Sequence, residues 1–94
     1  MSWEVRASIC WSSSKQTLPL VGTRYVTVAR WPDDDGPTGA WSIIARVISG
    51  PDHNRCSDAW ISFLMDGAPH DQMANGATFE LLEGSAVVAV VTVR

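Results

Sequence analysis

The sequence predicts an all-β protein, a single closed six-stranded β-barrel with Greek-key-like connections that spans residues 1–94. Six short runs rich in β-branched and aromatic residues recur along the chain, and segments rich in glycine, proline and aspartate separate them. None of these runs shows the 3.6-residue apolar period of an amphipathic helix. Regularly spaced short strands are typical of sandwiches and barrels, and 94 residues suit one domain.

The first two strands are predicted at residues 3–11 and 24–31. In "WEVRASICW" every second residue is apolar, from Trp3 to Trp11, which indicates a half-buried strand. The polar "SSSKQTLP" then forms a loop, and "RYVTVARW" is rich in β-branched and aromatic residues. Trp3, Trp11 and Trp31 lie at strand ends, where they either plug the barrel or present stacking faces for a ligand.

The remaining four strands follow three turn-rich segments. The runs are "AWSIIARVIS" at 40–49, "DAWISFLM" at 58–65, "ATFELL" at 77–82 and "SAVVAVVTVR" at 85–94. Trp41 and Trp60 are expected in the core. The turn between the last two runs contains Gly84, which can adopt a positive φ. The final run barely alternates, which predicts a strand that is either covered on both faces or central in a closed sheet.

Charge and cysteine content limit the classes of partner and compartment. The net charge is −3 and the basic residues are scattered, so nucleic acid is disfavoured. The longest apolar run, six residues, is too short to cross a membrane as a helix. Cys10 and Cys56 could form one disulfide, but "MSWEVRASIC" does not resemble a secretory leader, which favours free, buried thiols and a cytoplasmic protein.

The closing segment "FELLEGSAVVAVVTV" resembles the last hairpin of the C-terminal β-barrel in the elongation factor Tu family. Phe79 matches the phenylalanine of that hairpin, Glu83 and Gly84 match its Glu-Gly turn, and the valines at 87–91 match its last strand. Upstream, "WEVRASICW", "LPLVGTRYVTVARW" and "MANG" are similar to other segments of the same domain. The sequence departs from the family at Leu82, where arginine is usual, and at Ala89, where glycine is expected.

The resemblance implies the barrel fold and a role in binding. In the full factor this barrel belongs to a GTPase and helps to contact transfer RNA and a nucleotide-exchange partner. The present chain lacks a G-x-x-x-x-G-K-[ST] segment, so we expect no GTP hydrolysis from it. Its acidic charge, these departures and the lack of a counterpart to the family's "MPGD" turn before "AWISFLM" weigh against transfer RNA as its ligand.

No residue pattern predicts catalysis or a metal site. His53 and Cys56 have an H-x-x-C spacing, and His70 with Cys10 could complete a zinc tetrad, but zinc sites usually show two close pairs. No catalytic signature such as a nucleophile elbow surrounds the serines or cysteines. We therefore expect no enzyme activity, no cofactor and no metal.

The favoured function is a non-catalytic cytoplasmic module that docks on a protein partner. Its candidate binding residues lie in loops and at strand ends: Asp33, Asp34, Asp35, Arg24, Arg30, Trp31 and His70. The first alternative is an RNA- or tRNA-binding barrel that uses Arg24, Arg30 and exposed aromatic rings. The second is a barrel that binds a small ligand or metal with the loops around His53, Cys56 and His70. The sequence leaves open whether the protein is a monomer or a dimer.

Overall fold

Six antiparallel strands form the closed barrel that the sequence predicts. The computed structural model of the chain describes residues 4–31, 40–65, 67–68 and 70–94. The strands are β1 (Val5–Trp11), β2 (Arg24–Arg30), β3 (Ala40–Ser49), β4 (Cys56–Phe63), β5 (Thr78–Glu83) and β6 (Ala86–Val93). A single-turn 3₁₀ helix at His70–Met73 precedes β5. Among the described residues, no helix has the length and apolar character needed to span a bilayer.

The order of strands around the barrel is β1-β4-β3-β2-β5-β6, and β6 pairs with β1 to close it. β2, β3 and β4 form a meander, while the β5–β6 hairpin fills the gap between β2 and β1. The connections from β1 to β2 and from β4 to β5 therefore join strands that are not neighbours, as in a Greek key. Gly84 lies in the hairpin turn with φ of 62°, the left-handed conformation that glycine adopts readily.

The barrel interior is filled by alternate residues of every strand. From β1 these are Ala7, Ile9 and Trp11, and from β4 they are Ala59, Ile61 and Phe63. At one end of the barrel Trp31 stacks on Phe79, with ring centroids 4.3 Å apart, and its Nε1 donates to the Gln72 carbonyl at 3.2 Å. These contacts tie the 3₁₀ helix to the core.

Of the two alternatives predicted for the last strand, the central position in a closed sheet is confirmed, because β6 pairs with both β5 and β1, whereas cover on both faces is wrong. Ala89, Val91 and Val93 point inward, whereas Val90 is 41% exposed. The register shifts in the β5–β6 pairing, where Leu82 pairs with Val87 and Leu81 with Ala89. Val88 is the extra residue of this bulge, so two consecutive side chains are buried. The bulge explains why apolar and polar residues do not alternate regularly along β6, although the outer face of this strand is not covered.

The expectation of free, buried thiols is also wrong, because Cys10 and Cys56 form a disulfide. The two residues face each other in the β1–β4 register, on the outside of the barrel, with Cα atoms 4.0 Å apart. The cytoplasmic location was argued partly from free thiols, and it remains a prediction. Cys56 is consumed by this bond and cannot serve as a zinc ligand while the bond is present.

Candidate functional site

The most distinctive outer feature is a row of four residues that crosses four neighbouring strands. In register, Arg6 of β1 pairs with Trp60 of β4, and Trp60 pairs with Arg46 of β3. Arg46 in turn pairs with Arg24 of β2. All four belong to the outward positions of their strands, because the alternate positions fill the interior. We call these four residues the arginine–tryptophan row.

Trp60 is half-buried between two arginines rather than placed in the core, where the sequence predicted it. The Arg6 Cζ lies 5.7 Å from the centroid of the Trp60 ring, within the range of a cation–π contact. The side chains of Arg6 and Arg46 are 43% and 54% exposed. The indole therefore lies on a rigid sheet, flanked by two accessible guanidinium groups.

Carboxylates at the margin of the row neutralise it only in part. The Arg46 Nη2 lies 3.3 Å from the Glu4 Oε1, and the Arg6 Nη2 lies 3.7 Å from an Asp58 oxygen. Asp58 is shared, since Arg94 contacts its other oxygen at 2.7 Å. Arg24 is exposed and forms neither an ion pair nor a side-chain hydrogen bond with another described residue. No other described residue therefore neutralises its charge.

Apolar side chains continue the outer face from the row toward the other end of the barrel. Val26 and Val28 on β2 are 42% and 38% exposed. Val26 pairs with the half-buried Ile44 on β3. The outer face of β2, β3 and β4 thus combines guanidinium groups, one indole and a small apolar border, the residue types that are enriched at protein interfaces.

All seven basic side chains and six of the ten acidic side chains belong to the described residues. The other four acidic residues are Asp33, Asp34, Asp35 and Asp66, all outside the described residues. The scattered arginines of the sequence are partly gathered by the strand register, which sequence spacing does not reveal.

The residues predicted as binding groups have different outcomes. Asp33, Asp34 and Asp35 lie outside the described residues, and so does the side chain of His70. Of the remaining three, only Arg24 belongs to the row; Arg30 forms an ion pair with Glu80 at 2.8 Å on the same outer face. The prediction that Trp31 is a binding residue is wrong, because this residue is only 5% exposed and its ring stacks in the core. It therefore offers no face to a ligand.

The sequence analysis missed Trp60 and Arg46 as surface residues. Ala59, Ile61 and Phe63 fill the interior at alternate positions, which forces Trp60 outward. That alternation was readable in "DAWISF" and was the signal that could have found it. Trp41 agrees better with its predicted position in the core. It is half-buried and packs edge-on against Phe63, with ring centroids 6.3 Å apart.

A shallow polar pocket of about 170 Å³ lies beside the disulfide. Its lining includes Ser8, Ser49, Asp52, Asp58 and Arg94. The polar groups are largely engaged with one another, as in the bond from the Ser49 hydroxyl to Asp58 at 3.3 Å. Asp52 accepts the backbone N–H groups of Cys56 and Asn54, both at 2.9 Å, and the first of these contributes most to lowering the pKa of its carboxyl. Asp52 therefore acts mainly as a turn-forming residue.

A second polar cluster closes the end of the barrel where β1 and β5 finish. The Glu83 carboxylate accepts hydrogen bonds from the Lys15 ammonium and the Tyr25 hydroxyl. The Lys15 bond, followed by the Tyr25 bond, lowers the pKa of Glu83. Burial, followed by the hydrogen bond to Glu83, raises the pKa of Tyr25. Trp11 contacts the Tyr25 ring edge-on, so this cluster rests on the core.

The metal alternative gains no support from the described geometry. Within the described part of the chain, no group of three or more His, Cys, Asp or Glu side chains is placed to hold a metal ion. Comparison of the chain with family models, curated protein sequences and solved structures gives no match.

Proposed function

We propose that this chain is a non-catalytic binding module that docks on a protein partner through the outer face of β1, β2, β3 and β4. The observation that carries the proposal is the outward Trp60, held between Arg6 and Arg46 on a closed sheet. Tryptophan and arginine dominate the binding energy of many protein interfaces. A rigid sheet keeps such groups in place before binding, so little side-chain or backbone ordering has to accompany association.

The environment of the titratable groups supports a binding role over a catalytic one. Lys15 and Glu83 are paired with each other, Asp58 is paired with arginines, and Cys56 is in the disulfide. A general base or nucleophile needs a free group within reach of a reacting atom. These groups instead make contacts with other residues of the same chain.

We further propose that the barrel is of the translation-factor type, like the C-terminal domain of the elongation factor Tu family. The closed six-stranded architecture and the hairpin that contains Phe79, Glu83 and Gly84 are compatible with that resemblance. Within such a module, binding by the outer face does not require any GTPase chemistry.

Affinity capture with a matched surface variant tests the proposed function. The tagged protein, the Trp60→Ser variant and the Arg30→Gln variant are used to capture proteins from a lysate of the source organism, with and without nuclease. We expect a stoichiometric protein that survives nuclease, is retained by Arg30→Gln and is lost with Trp60→Ser. Arg30 is the control because it lies on the outer face in its own ion pair, outside the row.

The other outcomes identify the alternatives. Nucleic acid that co-purifies and is released at high salt would replace the protein partner with RNA. A protein that Trp60→Ser captures as well as the wild type would remove this face from the proposal. Thermal unfolding of each variant has to match the wild type, so that lost capture reports the surface and not the fold.

A further inference from the structure

The closed barrel restricts how a partner can bind to this face. Each of the six described strands has a paired neighbour on both sides, although β2 pairs with β5 only at Val28–Arg30, so little strand edge is open for a peptide to add to the sheet. A partner is therefore held mainly by side chains that project from the sheet. The arginine–tryptophan row is the group of such side chains that combines unneutralised charge with an aromatic ring.

The row has the dimensions of a short peptide segment. Adjacent strands lie about 4.8 Å apart, so the three strand spacings from Arg6 to Arg24 add up to roughly 14 Å along the curved surface of the barrel. Four or five residues of an extended chain cover that distance, at about 3.3 Å per residue. In such a chain, side chains two residues apart point the same way.

The guanidinium groups favour carboxylates as the recognised groups. Arg24 has no carboxylate partner among the described residues, and the Arg6–Asp58 contact at 3.7 Å is too long for a hydrogen bond. A guanidinium stacked on an indole keeps its in-plane N–H donors, which match a carboxylate in a bidentate geometry. Val26, Val28 and Ile44 then provide an apolar border for the alternate side chains of the same segment.

The same observations favour a protein segment over a nucleic acid strand. The Arg6 guanidinium lies over the Trp60 ring and competes with a stacking base for that face. Glu4 and Asp58 border the row and would repel a continuous run of phosphates. Separate carboxylates, placed between apolar residues, fit a row of three arginines that is already partly neutralised.

We propose that the arginine–tryptophan row, with its border of Val26, Val28 and Ile44, binds an acidic peptide segment in which carboxylates alternate with apolar residues. This inference rests on the proposed function, because it names the chemistry of the partner at the same surface. It predicts binding by charge complementarity and packing together, and it assigns Arg24 the role of an unpaired anchor for a carboxylate.

Fluorescence polarisation with defined probes tests the inference. The probe is a labelled peptide in which glutamate alternates with leucine; the control peptide has glutamine in place of glutamate, and a labelled single-stranded oligouridylate represents nucleic acid. We expect the acidic peptide to bind, and the glutamine peptide to bind at least about tenfold more weakly, because it cannot form charge-assisted hydrogen bonds with the guanidinium groups. Affinity for the acidic peptide should fall with salt.

Matched variants assign the binding to the row. Arg24→Gln removes no contact among the described residues, so it should leave thermal stability unchanged while it weakens peptide binding about tenfold. Trp60→Ser should weaken binding at least as much. Arg30→Gln, on the same outer face but outside the row, should change the affinity by less than about twofold.

Four results would overturn the inference. They are equal binding of the glutamate and glutamine peptides, equal affinity of wild type and Arg24→Gln, preference for the oligouridylate, and self-association that Arg24→Gln abolishes. The last would make a second copy of this chain the occupant.

Two further outcomes distinguish this inference from the proposed function. If the acidic peptide does not bind while Trp60→Ser still abolishes capture of the protein partner, the docking function stands and only the chemistry of the partner is wrong. If row variants affect neither experiment, both proposals fail.

Discussion

Lys15 and Glu83 form an ion pair at one end of the barrel, with the Lys15 Nζ 2.7 Å from the Glu83 Oε2, although 68 positions separate them in the chain. The Lys15 side chain is only 13% exposed, whereas Glu83 is 43% exposed. Tyr25 donates its hydroxyl to the same carboxylate, and the Lys15 ammonium lies 5.2 Å from the Tyr25 ring centroid. The pair links the β1–β2 loop to the closing hairpin.

This cluster should make stability fall in both acid and alkali. The folded-state pKa of Glu83 is lowered, so its contribution is present above the ordinary glutamate pKa and is lost as the pH falls below about 4.3. The folded-state pKa of Tyr25 is raised, so its contribution is present below about pH 10 and is lost as the pH rises further. Urea unfolding between pH 3 and pH 11 measures both limbs.

The Glu83→Gln variant measures how much the charge of this one carboxylate contributes to stability. We expect it to lower the free energy of unfolding at pH 7 by about 1 kcal/mol, the upper range for a partly exposed pair, and to reduce the acid dependence. Glu80→Gln, which breaks the more exposed Arg30 pair, is the control and should cost less. An unchanged acid limb in Glu83→Gln would show that the cluster does not set it.

The disulfide should stabilise the barrel mainly by restricting the unfolded chain. Cys10 and Cys56 are 46 positions apart, and a crosslink of that span contributes about 2–4 kcal/mol in the loop-entropy account. The double variant Cys10→Ser, Cys56→Ser should be destabilised by that amount and should match the reduced wild type. Both measurements are made by urea unfolding, with and without reductant.

Thiol titration gives an independent check on the disulfide. The denatured, unreduced protein should show no reactive thiol, and the reduced protein should show two. Two reactive thiols before reduction would restore the free cysteines that the sequence analysis expected.

Most of the strand pattern was predictable from sequence because burial alternates along a half-buried strand. The run at 40–49 was predicted with its observed bounds, and the others differ by one or two residues at their ends. Within one strand, the alternation of apolar and polar residues shows directly which side chains are buried. This is why the number of strands and the closing hairpin were right.

The features that sequence reasoning missed depend on which strands are neighbours. Cys10 meets Cys56, and Arg6, Arg46 and Arg24 line up around Trp60, only because β4 lies between β1 and β3. No local pattern reports that order. Trp60 was predicted in the core because a β-branched residue follows it, although its position in the alternation places it outside.

Phe79→Ala should strongly destabilise the protein. The Phe79 side chain is fully buried and stacks on Trp31, so its removal leaves a cavity that costs roughly 3–5 kcal/mol. Because this loss could unfold so small a domain, Phe79→Leu provides a milder change, with an expected cost of about 1–2 kcal/mol. Thermal and urea unfolding measure both variants. A Phe79→Ala protein as stable as the wild type would contradict the placement of this ring in the core.

Gly50 should tolerate a side chain much less well than Gly22, although both have φ near +90°. A Cβ at Gly50 would lie 2.8 Å from the Cys56 carbonyl oxygen, an atom that also accepts the Asp52 N–H, whereas a Cβ at Gly22 would meet nothing within 4 Å. Gly22→Ala therefore measures the backbone strain alone, at about 1 kcal/mol. Gly50→Ala adds a clash with backbone next to the disulfide, and we expect it to cost about 1–3 kcal/mol more. Urea unfolding of the two variants gives the difference, and equal costs would mean that the turn at Gly50 moves away from β4 without penalty.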